Sequence, residues 1–524
     1  MQAATHDVAV IGLGPVGATL AGLLARYGFS VAVYEKSRAI YAQPRAVGFD
    51  HDAMRIFQRI GIADRLAPHI APFRDGEYFG VGGRLIQRVR HVPPPYPLTW
   101  SPNYTCDQPG LESVLREALA DYPNVEVDLG CELLACAEDG DGVALSLRDD
   151  AGRTIQRRAR YVVGCDGASS PLRRALGIEL ESLDYDEPWI VVDVRVAPEH
   201  LGKLPATNVQ YCQPERPSTF ITCPGNHRRW EFMLLPGEPV EGAVSEQRLW
   251  QLLSRWLKPG EASIWRAAAY RFHALIARDW RRGRILLAGD AAHQTPPFLG
   301  QGMCQGLRDA GNLAWKLDCV LRGEAGEGLL DTYAQERRPH VVETTRIAKE
   351  FGRIISERDP DRARERDLRM LGGEAGEART LYRQELIPGL TSGLVSSTAP
   401  LAGKVFPQPL VTRGADADVL LDDVSGPCWR VVVAGGSGVA VKREIVAASN
   451  QQGLPAIALG VDADDFPRDA VQVTEHDDLL GRWLAAAGCV GALVRPDHYV
   501  FGAFGSAQEA AQVLEEFAAF RIAP

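Results

Sequence analysis

Two glycine-rich stretches carry the residues most able to do chemistry. In the first, GLGPVG, Gly12, Gly14 and Gly17 stand in a G-x-G-x-x-G spacing, and Glu35 follows 18 residues beyond Gly17. Between a strand and a helix, that spacing permits a tight turn, brings backbone N–H groups against a pyrophosphate and lets helix pack on strand. The acid is then placed to bond a ribose hydroxyl. The second stretch, ILLAGDAAHQTPPFLGQG at 285–302, runs from a short apolar strand into Gly289 and Asp290, then through a proline pair to the glycine-flanked Gln301. A carboxylate delivered at the carboxyl end of a buried strand lies where α/β sheets hold ligands. A plain strand-turn-helix in which Asp290 only caps a helix is the structural alternative, and these residues alone leave both open.

The elements that must position these groups follow from the apolar pattern. DVAVIGLGPVGATLAGLLARYGFSVAVYEK (7–36) reads as strand, glycine turn, helix and second strand, a βαβ unit. After Gly300, apolar residues Leu307, Ala310, Leu313, Ala314, Leu317 and Val320 recur at helical spacing, so a helix begins near 300–305 and its amino end can meet an anion. Helices are expected at 50–62 and 108–119, and a small antiparallel meander at 125–165 that returns to YVVGCDG. The runs WIVVDVRV, NVQYCQ, STFITC and RRWEFMLL between 189 and 237 predict a mostly antiparallel sheet, followed by a helix at about 245–257 and a strand at about 263–274. The chain then returns to Gly289–Asp290, so segments more than 250 residues apart are expected to share one sheet. A charged helical stretch follows at roughly 330–385. Beyond a Pro-, Gly- and Ser-rich linker, WRVVVAGG, PAIALGV, AVQV, ALVRP and HYVFGAF predict strands, with helices near 442–451 and 506–519. The fold class is α/β with an α+β substrate sheet. The divisions are 1–183 and 276–385 for a dinucleotide-binding Rossmann-like domain in two parts, 184–275 for an interleaved antiparallel substrate sheet, 386–408 for the linker and 409–524 for a C-terminal domain.

Composition narrows the function classes. The chain has 524 residues, 46% hydrophobic and 24% charged, ordinary for a globular protein of two or three domains. Lys+Arg 57 against Asp+Glu 67 gives a net charge of -10 without a long basic run, so neither nucleic acid nor an anionic membrane is an expected partner. The ten cysteines are spread singly, with no CxxC pair and no zinc-ligand spacing; reduced thiols, a cytoplasmic location and no metal are expected. The opening MQAATHDVAVIG has neither a basic nor an apolar leader region, and no apolar run is long enough to span a bilayer, so secretion and membrane insertion are not expected.

A nicotinamide dehydrogenase would continue into the second half of a Rossmann fold, which is missing here. An extended FAD, with its ADP on the Gly12–Gly17 turn and its ribityl chain at Asp290, explains why two distant motifs share a sheet. The helix after Gly300 would then aim N–H groups at the flavin pyrimidine.

Three motifs, GLGPVG with Glu35, YVVGCDGASSPLRRALGI (161–178) and RILLAGDAAHQTPPFLGQGMCQGLRDAGNLAWKL (284–317), together resemble the para-hydroxybenzoate hydroxylase family of single-component flavin monooxygenases. PRAVGFDHDAMRIFQRIG (44–61), WIVVDV, RRWEFMLLPGE (228–238) and LLDTYAQERRPH (329–340) look most like the 3-(3-hydroxyphenyl)propionate hydroxylases within it. The resemblance covers about 1–350; the last hundred residues are similar, more loosely, to the thioredoxin-like tail of phenol hydroxylase relatives. It implies that Gly12, Gly14 and Gly17, with Pro15 and Val16, contact pyrophosphate, and that Glu35, beside Lys36, holds the adenosine ribose. Arg45 and Gln108 would serve the phosphate and ribityl region, Leu133 the adenine and Asp290 a ribityl hydroxyl. Pro297, Gly300, Gln301, Gly302 and Met303 would line the flavin, and Asp166 and Gly167 would serve both FAD and NAD(P)H. The implied reaction is reduction of FAD by NADH or NADPH, addition of O2 at the flavin C4a, and oxygen transfer from the hydroperoxide to a phenolic aromatic acid such as 3-(3-hydroxyphenyl)propionate.

The substrate phenol needs a proton acceptor within hydrogen-bond reach. Candidates are His273, Tyr211 and Tyr270; for His273, in AAYRFHALIA, a core role is equally open. His293 is expected to brace its loop. Arg195, Arg228 and Arg229 could meet a substrate carboxylate or be surface charges, and Arg173 and Arg174 hint at coenzyme phosphate. A hydroxylase of larger polycyclic or polyketide phenols, an FAD dehydrogenase that consumes no O2, and a flavin redox sensor are the alternatives; a small aromatic partner and a homodimer are the expected associations.

Overall fold

In the computed structural model, residues 5–434, 438–460 and 470–522 are described. The chain forms two compact units: Met1–Val92 with Pro102–Ala310 and Val342–Ile387, and Pro93–Ser101 with Gly311–Val341 and Pro388–Pro524.

The first unit is organised by where its parallel strands end. Thr5–Ile11 pairs in parallel with Val31–Glu35 on one side and Thr154–Gly164 on the other, and Ile285–Leu287 pairs in parallel with Thr154–Gly164. Where they lie side by side, residues 8–11, 31–34, 161–164 and 285–287 are apolar and buried, as strands covered on both faces must be. The register aligns Ile11 with Tyr34 and with Gly164, and Gly164 with Leu287. One-residue steps beyond those positions put Gly12, Glu35, Cys165–Asp166 and Ala288–Asp290 at one edge of the sheet, the edge where such sheets bind ligands. Sharing of one sheet by segments more than 250 residues apart is therefore what the structure contains. The meander expected over 125–165 is present only from Glu132: Gly142–Arg148 pairs antiparallel with Glu132–Asp139 and with Thr154–Gly164, whereas Val125–Leu129 joins the parallel sheet beside Val31–Glu35.

A second, nine-stranded sheet is mixed but mostly antiparallel. Its centre is Leu180–Val196 between Ala262–Ala277 and His227–Met233, followed outward by Ser218–Thr222, Asn208–Tyr211, Gly76–Phe79, Leu85–Arg90 and Arg379–Tyr382. One face is apolar: Val209, Phe220, Trp230, Phe232, Ile190 and Val192 pack with Leu249 and Leu253 of the helix Glu246–Leu253. Residues between them in sequence point to the opposite face. The charged stretch at 330–385 is not helical throughout. Asp331–Ser356 and Pro360–Leu371 are helices, but Gly372 closes the second in the left-handed region at φ 72°, and Arg379–Tyr382 continues as an edge strand parallel to Leu85–Arg90.

In the second unit, Arg430–Val433, Ala456–Leu459 and Ala470–Glu475 are parallel, and Gly491–Val494 and Val500–Phe504 form the expected final antiparallel pair. Leu410–Arg413 and Asp416–Leu420 complete the sheet, and the helix Leu479–Ala486 joins Val439–Gln451 and Ala507–Ile522; these two strands and that helix have no counterpart in the sequence reading. Gly435, Gly436 and Val461, the ends of two expected strands, lie outside the described residues. A buried ionic cluster ties this unit together: Glu336 accepts hydrogen bonds from Asn312, Lys316 and Arg495, each at 2.7 Å. No helix among the described residues is long and apolar enough to cross a membrane.

Candidate active site

The three glycines of the first turn answer three different steric demands. Gly12 has φ 101°, and a Cβ there would sit 2.5 Å from the Cys165 carbonyl oxygen. A Cβ on Gly17 would come 2.0 Å from the Gly12 carbonyl oxygen, so Gly17 is what lets the helix Pro15–Arg26 seat against the turn. Around Gly14 nothing lies within 4 Å of the Cβ position, because this residue faces a cavity of about 830 Å³. Glu35, at the end of the neighbouring strand, accepts from Leu13 N and Ser37 N, each at 2.8 Å, and so holds the turn as well as lining the cavity. Opposite, Gln108 accepts from the backbone of Arg45 and Ala46 at 3.0 and 2.6 Å and donates to Glu112 at 2.7 Å, fixing the loop that carries Arg45.

The Gly-Asp corner is built to free its carboxylate. Gly289 has φ 62°, and its N–H donates to Asp309 Oδ2 at 3.0 Å; His293 Nε2 meets the same oxygen at 2.7 Å. His293 thus braces the corner. Asp290 caps no helix, and among the described residues it has no hydrogen-bond partner; its side chain opens into the cavity. The surrounding protein raises its pKa, against the opposing charges of His293 and Arg45. Asp166 shows a similar orphan. Its Oδ2 accepts from Leu172 N at 3.0 Å, but Oδ1 is buried with no partner, and burial pushes its pKa up. Arg173 links the two motifs by donating to Ala291 O at 2.9 Å and Ala168 O at 3.0 Å. The helix Gly302–Leu321 opens with Gly302 and Met303 on the cavity wall, where the N–H groups of a first turn have no helical partner. A bare glycine cradle, the Asp290 carboxylate, the unpartnered Oδ1 of Asp166 and a helix N-terminus along one cavity form a donor and acceptor set that fits FAD.

The rest of the wall comes from the nine-stranded sheet. Gln210, Thr219, Glu231 and Val191 are cross-strand neighbours in one row on the cavity face, and Asn208, Ile221, Arg229 and Arg266 line the cavity beside them. Asp193 is fully buried; Arg229 holds it at 2.7 and 2.9 Å, Arg266 at 3.2 Å and His227 at 2.8 Å. Burial alone would raise the Asp193 pKa, but Arg229 and the hydrogen bonds of His227 and Arg229 outweigh it and bring it to about 2. Arg383 reaches the cavity from the edge-strand segment: it donates to Asn103 Oδ1 at 3.0 Å and to Leu299 O, and lies 5.1 Å over the Phe73 ring. Nearby His91 is driven down to about 4 by burial and then by Arg383, with Asp75 opposing.

Every cofactor residue named from the sequence lines the cavity except two. Gly17 lies behind the turn, and Gln301 is buried, donating to Asp50 Oδ2 at 2.9 Å and accepting from Arg308 at 3.0 Å. Tyr270 and His273 line the cavity. Tyr211 does not, because strand alternation that turns Gln210 inward turns Tyr211 into the apolar layer, where its hydroxyl accepts from Trp256 Nε1 at 3.1 Å. Arg195 stacks 4.2 Å over Trp265, Arg228 donates to the carbonyls of Cys223, Gly225 and His227, and Arg174 is exposed; of the proposed substrate arginines only Arg229 is a cavity residue. The sequence reading missed Gln210, Thr219, Glu231, His91 and Arg383. The alternation of RRWEFM could have put Glu231 on the face opposite Trp230; nothing local marks Arg383.

Comparison with known proteins agrees with this geometry. A family model described as FAD binding domain matches residues 5–348, and another described as HcaD C-terminal domain matches residues 403–520. The chain is 37% identical over 517 residues to a probable NADH-specific resorcinol 4-hydroxylase of Rhodococcus jostii (strain RHA1), covering 98% of this chain and 94% of that relative. It is 35% identical over 526 residues to a 3-(3-hydroxy-phenyl)propionate/3-hydroxycinnamic acid hydroxylase of Mycobacterium avium (strain 104), covering 95% and 89%. The structure of aklavinone-11 hydroxylase with FAD and aklavinone is similar with a TM-score of 0.77 at 26% identity, over 100% of both chains. With its FAD-binding domain and near full-length relatives among the hydroxylases, the chain belongs to the FAD-dependent aromatic hydroxylases, a family of flavoprotein monooxygenases.

Proposed function

We propose that this enzyme hydroxylates a single-ring phenol of the resorcinol or 3-(3-hydroxyphenyl)propionate kind, consuming NADH and O2. The observation that carries this reading is the continuity of the cavity: one space of about 830 Å³ runs from Gly14 and Glu35, past Asp290 and Gly302, to the polar row on the sheet. Gly12, Gly14 and the first turn after Pro15 receive the pyrophosphate, Glu35 the ribose, Asp290 a ribityl hydroxyl, and Gly300, Gly302 and Met303 the flavin ring. Bound there, FAD supplies the electron transfer from NADH and the activation of O2. The protein's own part is orientation and shelter. Phe272, Phe298, Val191 and Ile221 give an apolar setting for the ring, and Tyr270 or His273 can hold the phenolic proton across a hydrogen bond. The ten cysteines are all free thiols, which supports a reducing, cytoplasmic compartment.

The test is NADH oxidation with parallel O2 uptake and product chromatography, using resorcinol, 3-(3-hydroxyphenyl)propionate and a polycyclic phenol. Stimulation by a single-ring phenol with one equivalent of hydroxylated product per NADH is the expected result. Stimulation by the polycyclic phenol alone refutes the substrate class.

A further inference from the structure

The row Gln210, Thr219, Glu231 and Val191 contains one group that the protein leaves without a partner. Glu231 is 5% exposed, lies on the cavity wall, and no described residue donates a hydrogen bond to its carboxylate. None of its neighbours donates to it. The single proton of the Thr219 hydroxyl goes to Gln210 Oε1 at 2.5 Å, and Val191, on the other side, has no donor to offer. In the adjacent row, Arg229 donates to Asp193 and to the carbonyls of Pro44 and Arg45, and Arg266 donates to Asp193 while its Nε is buried without a partner; neither donates to Glu231. A carboxylate buried this way costs free energy unless something supplies the missing donor, and native structures keep such groups where a ligand does so. Consistent with that, burial raises the Glu231 pKa, while Arg229 and Arg266 pull it down and Asp193 pushes it up.

We propose that Glu231 determines specificity at the substrate end of the cavity, its carboxylate accepting the O–H of a ring hydroxyl. This rests on the reading of the substrate as a phenol. The Gln210 carbonyl is held by Thr219, and among the described residues its amide N–H groups have no acceptor; Gln210 stands two strands from Glu231, roughly 10 Å along the row. A hydroxyl-bearing ring edge is therefore met by an acceptor at one point and a donor at another. A carboxylate in the Glu231 position would face like charge, so a substrate acid must enter with its hydroxyl toward Glu231.

The test is a titration of the FAD-loaded enzyme with resorcinol and with 3-(3-hydroxyphenyl)propionate, read from the perturbed flavin spectrum, for wild type, Glu231→Gln and Glu231→Leu. A hydrogen bond to an ionised group is worth roughly 10- to 100-fold in affinity. Both variants should bind the phenols at least 10-fold more weakly while keeping FAD and a melting midpoint equal to or above that of wild type, because an unpaired buried charge has been removed. Equal phenol affinity in wild type and both variants overturns the role of Glu231 and leaves the phenol reading intact. Lower melting midpoints with loss of FAD mean a structural role and also overturn it. If wild type itself responds to neither phenol, the reading of the substrate fails, and the assignment of Glu231 with it.

Discussion

Gly14 and Gly17 are three residues apart in one turn, yet alanine should damage them in different ways. A Cβ on Gly17 would stand 2.0 Å from the carbonyl oxygen of Gly12, far inside contact distance, and both partners are backbone, so no rotamer can relieve the clash. Overpacking of this kind costs about 1–3 kcal/mol, and the melting midpoint should fall by roughly 2 to 10 °C. Gly14 has φ -75°, which alanine adopts freely, and its Cβ would meet nothing within 4 Å. The fold should lose at most about 1 kcal/mol from the changed helix cap. The added methyl would, however, project into the cavity where the pyrophosphate is to approach the backbone. Loss of even one charge-assisted hydrogen bond weakens FAD binding roughly 10- to 100-fold. The assay pairs thermal unfolding of the flavin-free protein with FAD titration followed by fluorescence quenching. Gly14→Ala should melt near wild type and bind FAD poorly; Gly17→Ala should melt low. Wild-type FAD affinity in Gly14→Ala would refute the placement of the pyrophosphate at this turn.

Asp290→Ala should be purified without its flavin, since the carboxylate has no other partner among the described residues; full FAD occupancy would sink the ribityl assignment. Asp193→Ala leaves the buried Arg229 and Arg266 uncompensated, and should cost about 3–5 kcal/mol in denaturant unfolding, an effect absent if the triad is merely incidental. His91 governs a pH window. Its folded pKa of about 4 lies below the ordinary 6.5, so stability present above pH 6.5 is lost as pH falls toward 4. The shift corresponds to roughly 3 kcal/mol. In His91→Gln the stability curve should flatten over that range, and curves parallel to wild type would show that His91 is not the group responsible.

What was legible in the sequence is what backbone geometry demands locally. Gly12 and Gly289 occupy left-handed backbone at φ 101° and 62°, which singles out glycine whatever lies around them. The Val-, Ile- and Leu-rich strands before them can be read from composition, and because parallel strands end in register, the motifs that follow them meet. The second unit was read more coarsely. Leu410–Arg413 and Asp416–Leu420 are short and polar at their ends, and their strand character comes from pairing rather than from their own pattern.

The substrate end was less legible, for a reason that Tyr211 and Gln210 make concrete. An aromatic hydroxyl is the stronger chemical candidate, but in a strand one residue of offset exchanges the two faces, and that offset is set by the partner strands. Val209 and Tyr211 face Trp230 and Trp256, so Gln210 must face the cavity. The same alternation buries Trp230 and Phe232 and leaves Arg229 and Glu231 inward, which gives a strand that looks apolar and basic an acid with no hydrogen-bond donor among the described residues. Arg383 shows the limit of local reading: it follows a helix, a glycine break and an edge strand, and only the pairing of Arg379–Tyr382 with Leu85–Arg90 brings it beside Asn103 and Leu299. Side chains at the glycine-rich end of the cavity were therefore found through motifs, whereas those on its sheet wall are products of sheet register. Substrate preference can accordingly change through single inward-facing positions such as Glu231 without disturbing the turn at Gly12 or the corner at Asp290.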